Sequence, residues 1–122
     1  VPAYSPGFDP GMVISLNILN QLETLPLKHL LKKSKVSEAE TERLRIEIQD
    51  KHISLLKKHK SLLITDIMEV FTDKSGNISE RKSVITALPQ GTYREDWTWD
   101  FDLKRSDYYE KRSVLKVSAI II

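Results

Sequence analysis

The stretch that decides the fold covers residues 36–77 and reads VSEAETERLRIEIQDKHISLLKKHKSLLITDIMEVFTDKSGN. Ser37, followed three residues later by Glu40, matches the capping box that starts many helices, and acidic residues fill the first turn. Glycine and proline are absent until the segment DKSGN at residues 73–77, whose composition is typical of a turn. We therefore predict one long amphipathic helix over residues 38–72.

The faces of this predicted helix indicate how it would associate. A helix of that length would extend roughly 50 Å, whereas a compact domain of 122 residues is only about 35 Å across. Isoleucine alternates with leucine or valine at spacings of three and four, which favours a coiled coil over a helix packed entirely inside one chain. The predicted association seam consists of Ile46, Ile53, Leu56, Leu63, Ile67 and Val70.

Two histidines, His52 and His59, lie seven residues apart on a second stripe of the predicted helix. Most histidines in such a position are partly exposed and have no special role. If the pair lies near a symmetry axis, protonation near about pH 6 would bring like charges together and loosen the assembly. The pair lacks the i, i+4 spacing of helical zinc ligands, so neither a metal nor a cofactor is predicted.

The residues before the long helix predict an arm, a strand and a short helix. Residues 1–12 contain three prolines and two glycines, so we expect a flexible arm or remnant there and one α+β domain over residues 13–122. The segment MVISLNILN at residues 12–20 has the two-residue alternation of a half-buried strand, which would place its isoleucines on the core side. The leucine-rich residues 25–34 predict a short helix with Thr24 as its cap and Pro26 in its first turn.

The residues after the predicted turn indicate an antiparallel meander. Strand-like segments cover about 83–88, 92–104 and 113–122 and are separated by a Pro-Gln-Gly turn and a polar loop. In the middle segment aromatic side chains alternate with acidic ones, which predicts an aromatic core face opposite a solvated acidic face. Stacking of nucleic-acid bases on Trp97 and Trp99 is less favoured, because the acids would repel phosphates. The predicted fold class is thus α+β, with a strand, a short helix, a long helix and about three antiparallel strands.

The formal net charge of +2 hides an uneven distribution along the chain. Between residues 28 and 60 basic residues outnumber acidic ones about two to one, whereas residues 61–122 are slightly acidic. A basic helical block can bind nucleic acid, although a solvated helix face is the commoner explanation. The candidate nucleic-acid-binding residues are Lys28, Lys32, Lys33, Lys35, Lys57 and Lys58.

Catalytic motifs are sparse. Asp102, Leu103 and Lys104 match one element of a Mg²⁺-dependent nuclease, in which a carboxylate holds the metal and a lysine orients water, and residues 80–82 repeat the pattern. The acid on a preceding strand that would complete such a site is missing. Glycine-rich phosphate loops and the Gly-x-Ser-x-Gly elbow do not occur. A nuclease therefore ranks last among the functional hypotheses.

The leading hypothesis is a non-enzymatic, oligomerising protein–protein interaction module that uses the long helix as its association surface. Its partner would be a second copy or a larger protein assembly, and no membrane is expected. The absence of cysteine and of a signal-peptide pattern predicts an intracellular protein, cytoplasmic or nuclear. The apolar end at residues 119–122 is consistent with a domain taken from a larger protein.

Overall fold

The computed structural model of the chain describes residues 2, 5–33, 36–100 and 111–122. Within these residues the elements follow one another as β1 (Met12–Leu16), α1 (Thr24–Lys33), α2 (Glu38–Lys57), β2 (Lys60–Thr72), β3 (Ile78–Lys82), β4 (Tyr93–Trp99) and β5 (Arg112–Ile121). The predicted α+β class is confirmed, as is the order of a strand, a short helix, a long helix and mostly antiparallel strands.

All five strands belong to one sheet that is built around β2. On one edge β5 pairs antiparallel with β2 along most of its length, and β4 extends the sheet beyond β5. The other edge is shared, because β1 pairs in parallel with residues 60–64 and β3 pairs antiparallel with residues 68–72. The central strand therefore has backbone partners on both edges, an arrangement that differs from the predicted meander of three C-terminal strands.

A β-bulge in β2 lies where its two neighbours on the shared edge meet. Ile67 is the residue left out of the ladder with β5. Its carbonyl accepts a hydrogen bond from the N–H of Ser83 at 3.1 Å, and the carbonyl of Ile64 accepts one from the N–H of Asn17 at 2.8 Å. The loops after β1 and β3 thus satisfy backbone groups in the gap between these two strands.

The long helix begins as predicted but ends earlier. Ser37 and Glu40 form the capping box through two hydrogen bonds of 3.2 Å. The helix ends at Lys57, so its 20 residues extend only about 30 Å. Residues 60–72 form a strand, and the prediction of a helix over residues 38–72 is wrong in its second half. The predicted overhang beyond the domain disappears with it.

Strand pairing and a side-chain cap explain why the helix stops. The sequence of β2 is rich in β-branched residues, and apolar runs of this kind fit either a buried strand or a helix by periodicity alone. The hydroxyl of Ser61 donates to the carbonyl of Leu56 at 2.7 Å, which caps the end of α2. Glycine, the usual sequence signal for a helix end, is absent at this point.

The hydrophobic core lies between α2 and one face of the sheet. Ile53 and Leu56 of α2 pack with Leu63 of β2, and Leu19 and Val84 from two loops complete the cluster. Each such side chain contributes about 1.5–3 kcal/mol when it is fully buried. The core therefore covers one face of the sheet.

Residues 83–88 were predicted as a strand, but they form none and are held by a side chain instead. Gln49 is fully buried on α2, and its Oε1 accepts hydrogen bonds from the N–H groups of residues 85–86 at 2.9 and 3.3 Å. Its Nε2 donates to the carboxylate of Glu23 and to the carbonyl of Ser83, both at 3.2 Å. One amide thus replaces the ladder that a strand would have formed.

The two remaining predicted strands pair with each other as an antiparallel hairpin. The last strand is confirmed as β5, and β4 covers the first part of the predicted 92–104 segment, whereas residues 101–104 lie outside the described part of the chain. Gly91 precedes β4 with a φ of +64°, and a Cβ there would lie 2.2 Å from the carbonyl oxygen of Ile121. Only glycine fits this close approach.

Replacing Gln49 by leucine is expected to lower the free energy of unfolding by about 3 kcal/mol or more, because four polar groups each lose a hydrogen bond to this buried amide while the side-chain volume is nearly kept. Denaturant unfolding followed by circular dichroism measures the change. Gln90→Leu is the matched control, since Gln90 is exposed, and it should alter stability by less than about 0.5 kcal/mol. Similar small effects of both substitutions would contradict the role assigned to Gln49.

Candidate functional site

The face of the sheet opposite α2 carries a continuous set of large apolar side chains. Residues paired in register project to the same face. One such row crosses four strands and consists of Ile14, Leu62, Ile121 and Tyr93. Seven large apolar or aromatic side chains on this face are exposed, and together we call them the open face: Met12, Ile14, Leu16, Tyr93, Trp97, Trp99 and Ile121.

Strand alternation places these side chains on the side away from the core. In β1 the buried residue is Ser15, whereas Ile14 and Leu16 are exposed, so the strand presents the face opposite to the predicted one. In β4, Trp97 is 43% exposed and Trp99 is 49% exposed, so the prediction that these rings form a buried core is wrong. The reason is topological, because α2 covers the other face of the sheet and β4 lies at its edge.

The opposite side of β4 carries the charged residues that the sequence predicts to be a solvated acidic face. Arg94 donates to Asp96 at 2.9 Å and to Ser118 at 3.1 Å, and the hydroxyl of Ser118 donates to Asp96 at 2.5 Å. The hydrogen bond from Arg94, followed by that from Ser118, lowers the pKa of the Asp96 carboxyl. This side of the strand is therefore a hydrogen-bonded network.

The residues of the predicted helical seam are divided between two elements. On α2 lie Ile46, Ile53 and Leu56, and on β2 lie Leu63, Ile67 and Val70. Ile53, Leu56 and Leu63 are buried in the core of the chain. A continuous helical seam is therefore not formed. Aspartate at position 56 or 63 would place a charge in the core and is expected to unfold the domain.

The two histidines considered as a pH-sensitive pair lie in different surroundings. His52 is half-buried on α2, and its Nε2 lies 2.7 Å from the Oγ of Ser15. Burial lowers the pKa of His52 below its usual value of 6.5. His59 lies beyond the end of α2, in the turn before β2. The two side chains therefore do not share one helical stripe.

The candidate nucleic-acid-binding lysines fall into two groups. They lie on α1 and at the end of α2: Lys28, Lys32 and Lys33 on the first, Lys57 and Lys58 on the second. Lys35 lies outside the described residues. Lys28 lines a cavity together with Arg45, which places α1 beside the first half of α2. Arg45 and Lys57 are about 18 Å apart along that helix, so the two groups are well separated.

Only one of the two acid-x-lysine elements that match a nuclease lies among the residues that the structure describes. Asp102, Leu103 and Lys104 lie outside the described residues. The second element, residues 80–82, is on β3, whose side chains are exposed. In the described part of the chain, no group of three or more His, Asp or Glu side chains is placed to hold a metal ion.

A scan against protein-family models, a search of curated proteins and a search of solved structures each find no match to this chain. None of the helices in the described residues is both long enough and apolar enough to span a membrane. The open face brings seven of the exposed large apolar side chains in the described residues onto one side of the sheet.

His52 is expected to titrate below pH 6.5 in the folded protein, because burial disfavours the imidazolium form. The unfolded chain takes up this proton at about pH 6.5, so between the folded pKa and that value the unfolded state binds more protons. The contribution of neutral His52 to the free energy of unfolding is therefore complete above about pH 6.5, and it decreases as the pH falls from there to the folded pKa.

An NMR titration of the His52 ring measures its pKa directly. Denaturant unfolding at pH 7.5 and pH 5, with His52→Gln as the control, measures the effect on stability. The glutamine keeps a hydrogen-bonding group near Ser15 but cannot titrate, so this variant should lose less stability on acidification. A titration midpoint of His52 at or above 6.5 would contradict the prediction.

Proposed function

We propose that the protein is a non-enzymatic assembly module and that two copies associate through the open face. The observation that carries this proposal is the exposure of seven large apolar or aromatic side chains on one side of a single sheet. Monomeric proteins rarely leave a contiguous apolar patch larger than a few hundred Å² exposed. A sheet face of this kind is normally covered by a second layer of structure.

The size of the open face supports a second copy as the missing layer. A large aromatic side chain offers about 150–250 Å², so seven side chains that are each near half exposed offer roughly 700 Å². This area is close to the ≈ 800 Å² that each partner contributes to an interface of standard size. In a two-fold dimer both copies use the same surface, and two apolar sheet faces can pack about 10 Å apart.

The distribution of polar and apolar residues between the two faces also supports this proposal. The side of the sheet that faces α2 contains several small polar residues that are fully or almost fully buried: Ser15, Ser61, Thr65 and Ser118. The larger apolar side chains lie on the uncovered side. A sheet with one solvated face normally shows the opposite distribution. Covering of the open face by a partner would account for this inversion.

Among the described residues, charged side chains of both signs lie on this side of the sheet, where the register of β2 with β5 also puts Asp66 and Glu69. Lys60 pairs with Met12 at one margin, and Glu95 lies on the edge strand, where its Oε2 accepts a hydrogen bond from the hydroxyl of Tyr93 at 3.3 Å. Opposite charges on a surface that meets its own copy can pair instead of repelling each other. The proposal thus keeps the oligomerising function expected from the sequence and moves the association surface from the helix to the sheet.

Ile14→Asp is expected to convert the dimer into a monomer, because each copy would bring an unpaired charge into the buried interface, a loss of about 3 kcal/mol or more. Sedimentation velocity over a range of concentrations measures the dissociation constant. Ile78→Asp is the matched control, since Ile78 is an equally exposed strand residue on β3, 69% against 61% for Ile14, and lies outside the open face.

Three outcomes of this experiment would contradict the proposal. Wild-type protein that stays monomeric at every concentration would rule out association of two copies. Equal dissociation of both variants would indicate a general loss of structure, which circular dichroism would detect. A dimer that survives Ile14→Asp would place the interface elsewhere on the molecule.

A further inference from the structure

A cavity of about 350 Å³ lies beside the open face, between the loop that follows β1 and the sheet. The lining residues that matter for its chemistry are Asn17, Asn20, Asp66, Glu69, Arg81 and Trp99. The cavity shares the ring of Trp99 with the open face, but its polar lining residues are not among the seven side chains of that face.

The bulge in β2 brings two carboxylates into this cavity. Residues three apart in a regular strand project to opposite faces. Because Ile67 is an extra residue in the ladder, Asp66 and Glu69 pair with Val117 and Leu115, which lie on the same face. Bulges often re-aim side chains in this way next to functional sites.

Within the part of the chain that the structure describes, three oxygen atoms on the side chains that line the cavity have no hydrogen-bond donor: Oδ1 of Asn17, Oδ1 of Asn20 and Oε2 of Glu69. Glu69 is the most informative of the three, because it is only 6% exposed. Leaving a buried acceptor without a donor costs about 1–3 kcal/mol, and more when the group is charged. The presence of three such atoms on side chains that line one cavity indicates a site whose donors come from a ligand.

The charges of the cavity favour a cationic ligand. Both carboxylate oxygens of Asp66 accept from Nδ2 of Asn20 at 2.8 Å. The Oε1 atom of Glu69 accepts from Nη2 of Arg81 at 3.1 Å, and most of the Arg81 side chain is exposed. Among the lining residues that the structure describes, two carboxylates meet one guanidinium group, which leaves an excess of negative charge.

We propose that this cavity binds a primary ammonium or guanidinium group carried on an aliphatic chain. The three N–H donors of an ammonium group match the three oxygen atoms that lack donors. The Glu69 carboxylate supplies the opposite charge, and the ring of Trp99 offers a surface that attracts cations. The same chemistry comes from a free alkylamine or from a lysine or arginine side chain of a bound peptide.

NMR titration with n-butylammonium chloride tests the site directly. The indole N–H of Trp99 is expected to shift saturably with the side-chain amides of Asn17 and Asn20, whereas the indole of Trp97, which does not line this cavity, should move much less. The neutral compound n-butanol has the same chain and should cause no saturable shift. Absence of a saturable shift with n-butylammonium would overturn the proposal.

Glu69→Gln is expected to weaken n-butylammonium binding by about tenfold or more, because it removes the charge and a hydrogen-bond acceptor. The matched control is Glu80→Gln, the same substitution at an exposed residue of β3 outside the cavity. Its affinity should equal that of the wild type. Equal affinities for Glu69→Gln and the wild type would overturn the proposal.

Asn17→Gly is a second variant that keeps the proposal testable if Glu69→Gln does not fold. Asn17 has a φ of +52°, a conformation that glycine adopts at no steric cost. The substitution therefore removes the side-chain oxygen without straining the backbone. It should weaken n-butylammonium binding by about threefold or more while the melting temperature is maintained. Unchanged binding in this variant would overturn the proposal.

Two further arms of the titration identify the source of the ligand and separate this site from the dimer. Tighter binding of the peptide acetyl-Gly-Lys-Gly-amide than of n-butylammonium would support a lysine side chain, and binding of n-butylammonium alone would support a free amine. Binding of neither probe would overturn the proposal. Repeating the titration with Ile14→Asp, which is expected to be monomeric, should give the wild-type affinity. Wild-type protein that is monomeric at every concentration but still binds the probe would contradict only the dimer.

Discussion

Hydrogen bonding along both edges of β2 fixes the positions of the other elements. On one edge β5 supplies the partners, and on the other β1 and β3 divide the strand between them. Because the backbone of β2 is committed to these neighbours, α2 has to end before it, at Lys57. The helix then lies over the face that contains Leu63, and this contact forms the core.

The same arrangement produces two features on the other side of the sheet, the open face and the cavity. With α2 over one face, the larger apolar side chains of β1 and β4 remain on the open face. Strand β2 contains a bulge at Ile67, at the point on its shared edge where β1 ends and β3 begins. This bulge turns Asp66 and Glu69 toward one cavity. The proposed association surface and the proposed cation site thus have a common origin in the shared edge of β2.

Local sequence signals were sufficient for the parts of the fold that depend on neighbouring residues. The capping box at Ser37 and Glu40 marked the start of α2, and the leucine-rich segment marked α1. The strand-like composition of the last residues marked β5. Each of these signals acts within a few residues, through backbone capping or through the periodicity of one element. The order of the predicted strands and helices was likewise enough to indicate the α+β class.

The features that depend on contacts between residues far apart in the sequence could be read only from the tertiary structure. Residues 60–72 are apolar at both helical and strand spacings, and only pairing with β1, β3 and β5 makes them a strand. Alternation in β1 and β4 revealed two faces but not which one is covered, because that depends on where α2 packs. The sequence by itself therefore determined the local elements, whereas the tertiary structure decided the end of the helix, the buried face and the cavity. The physical reason is that each of these depends on contacts between residues far apart in the chain.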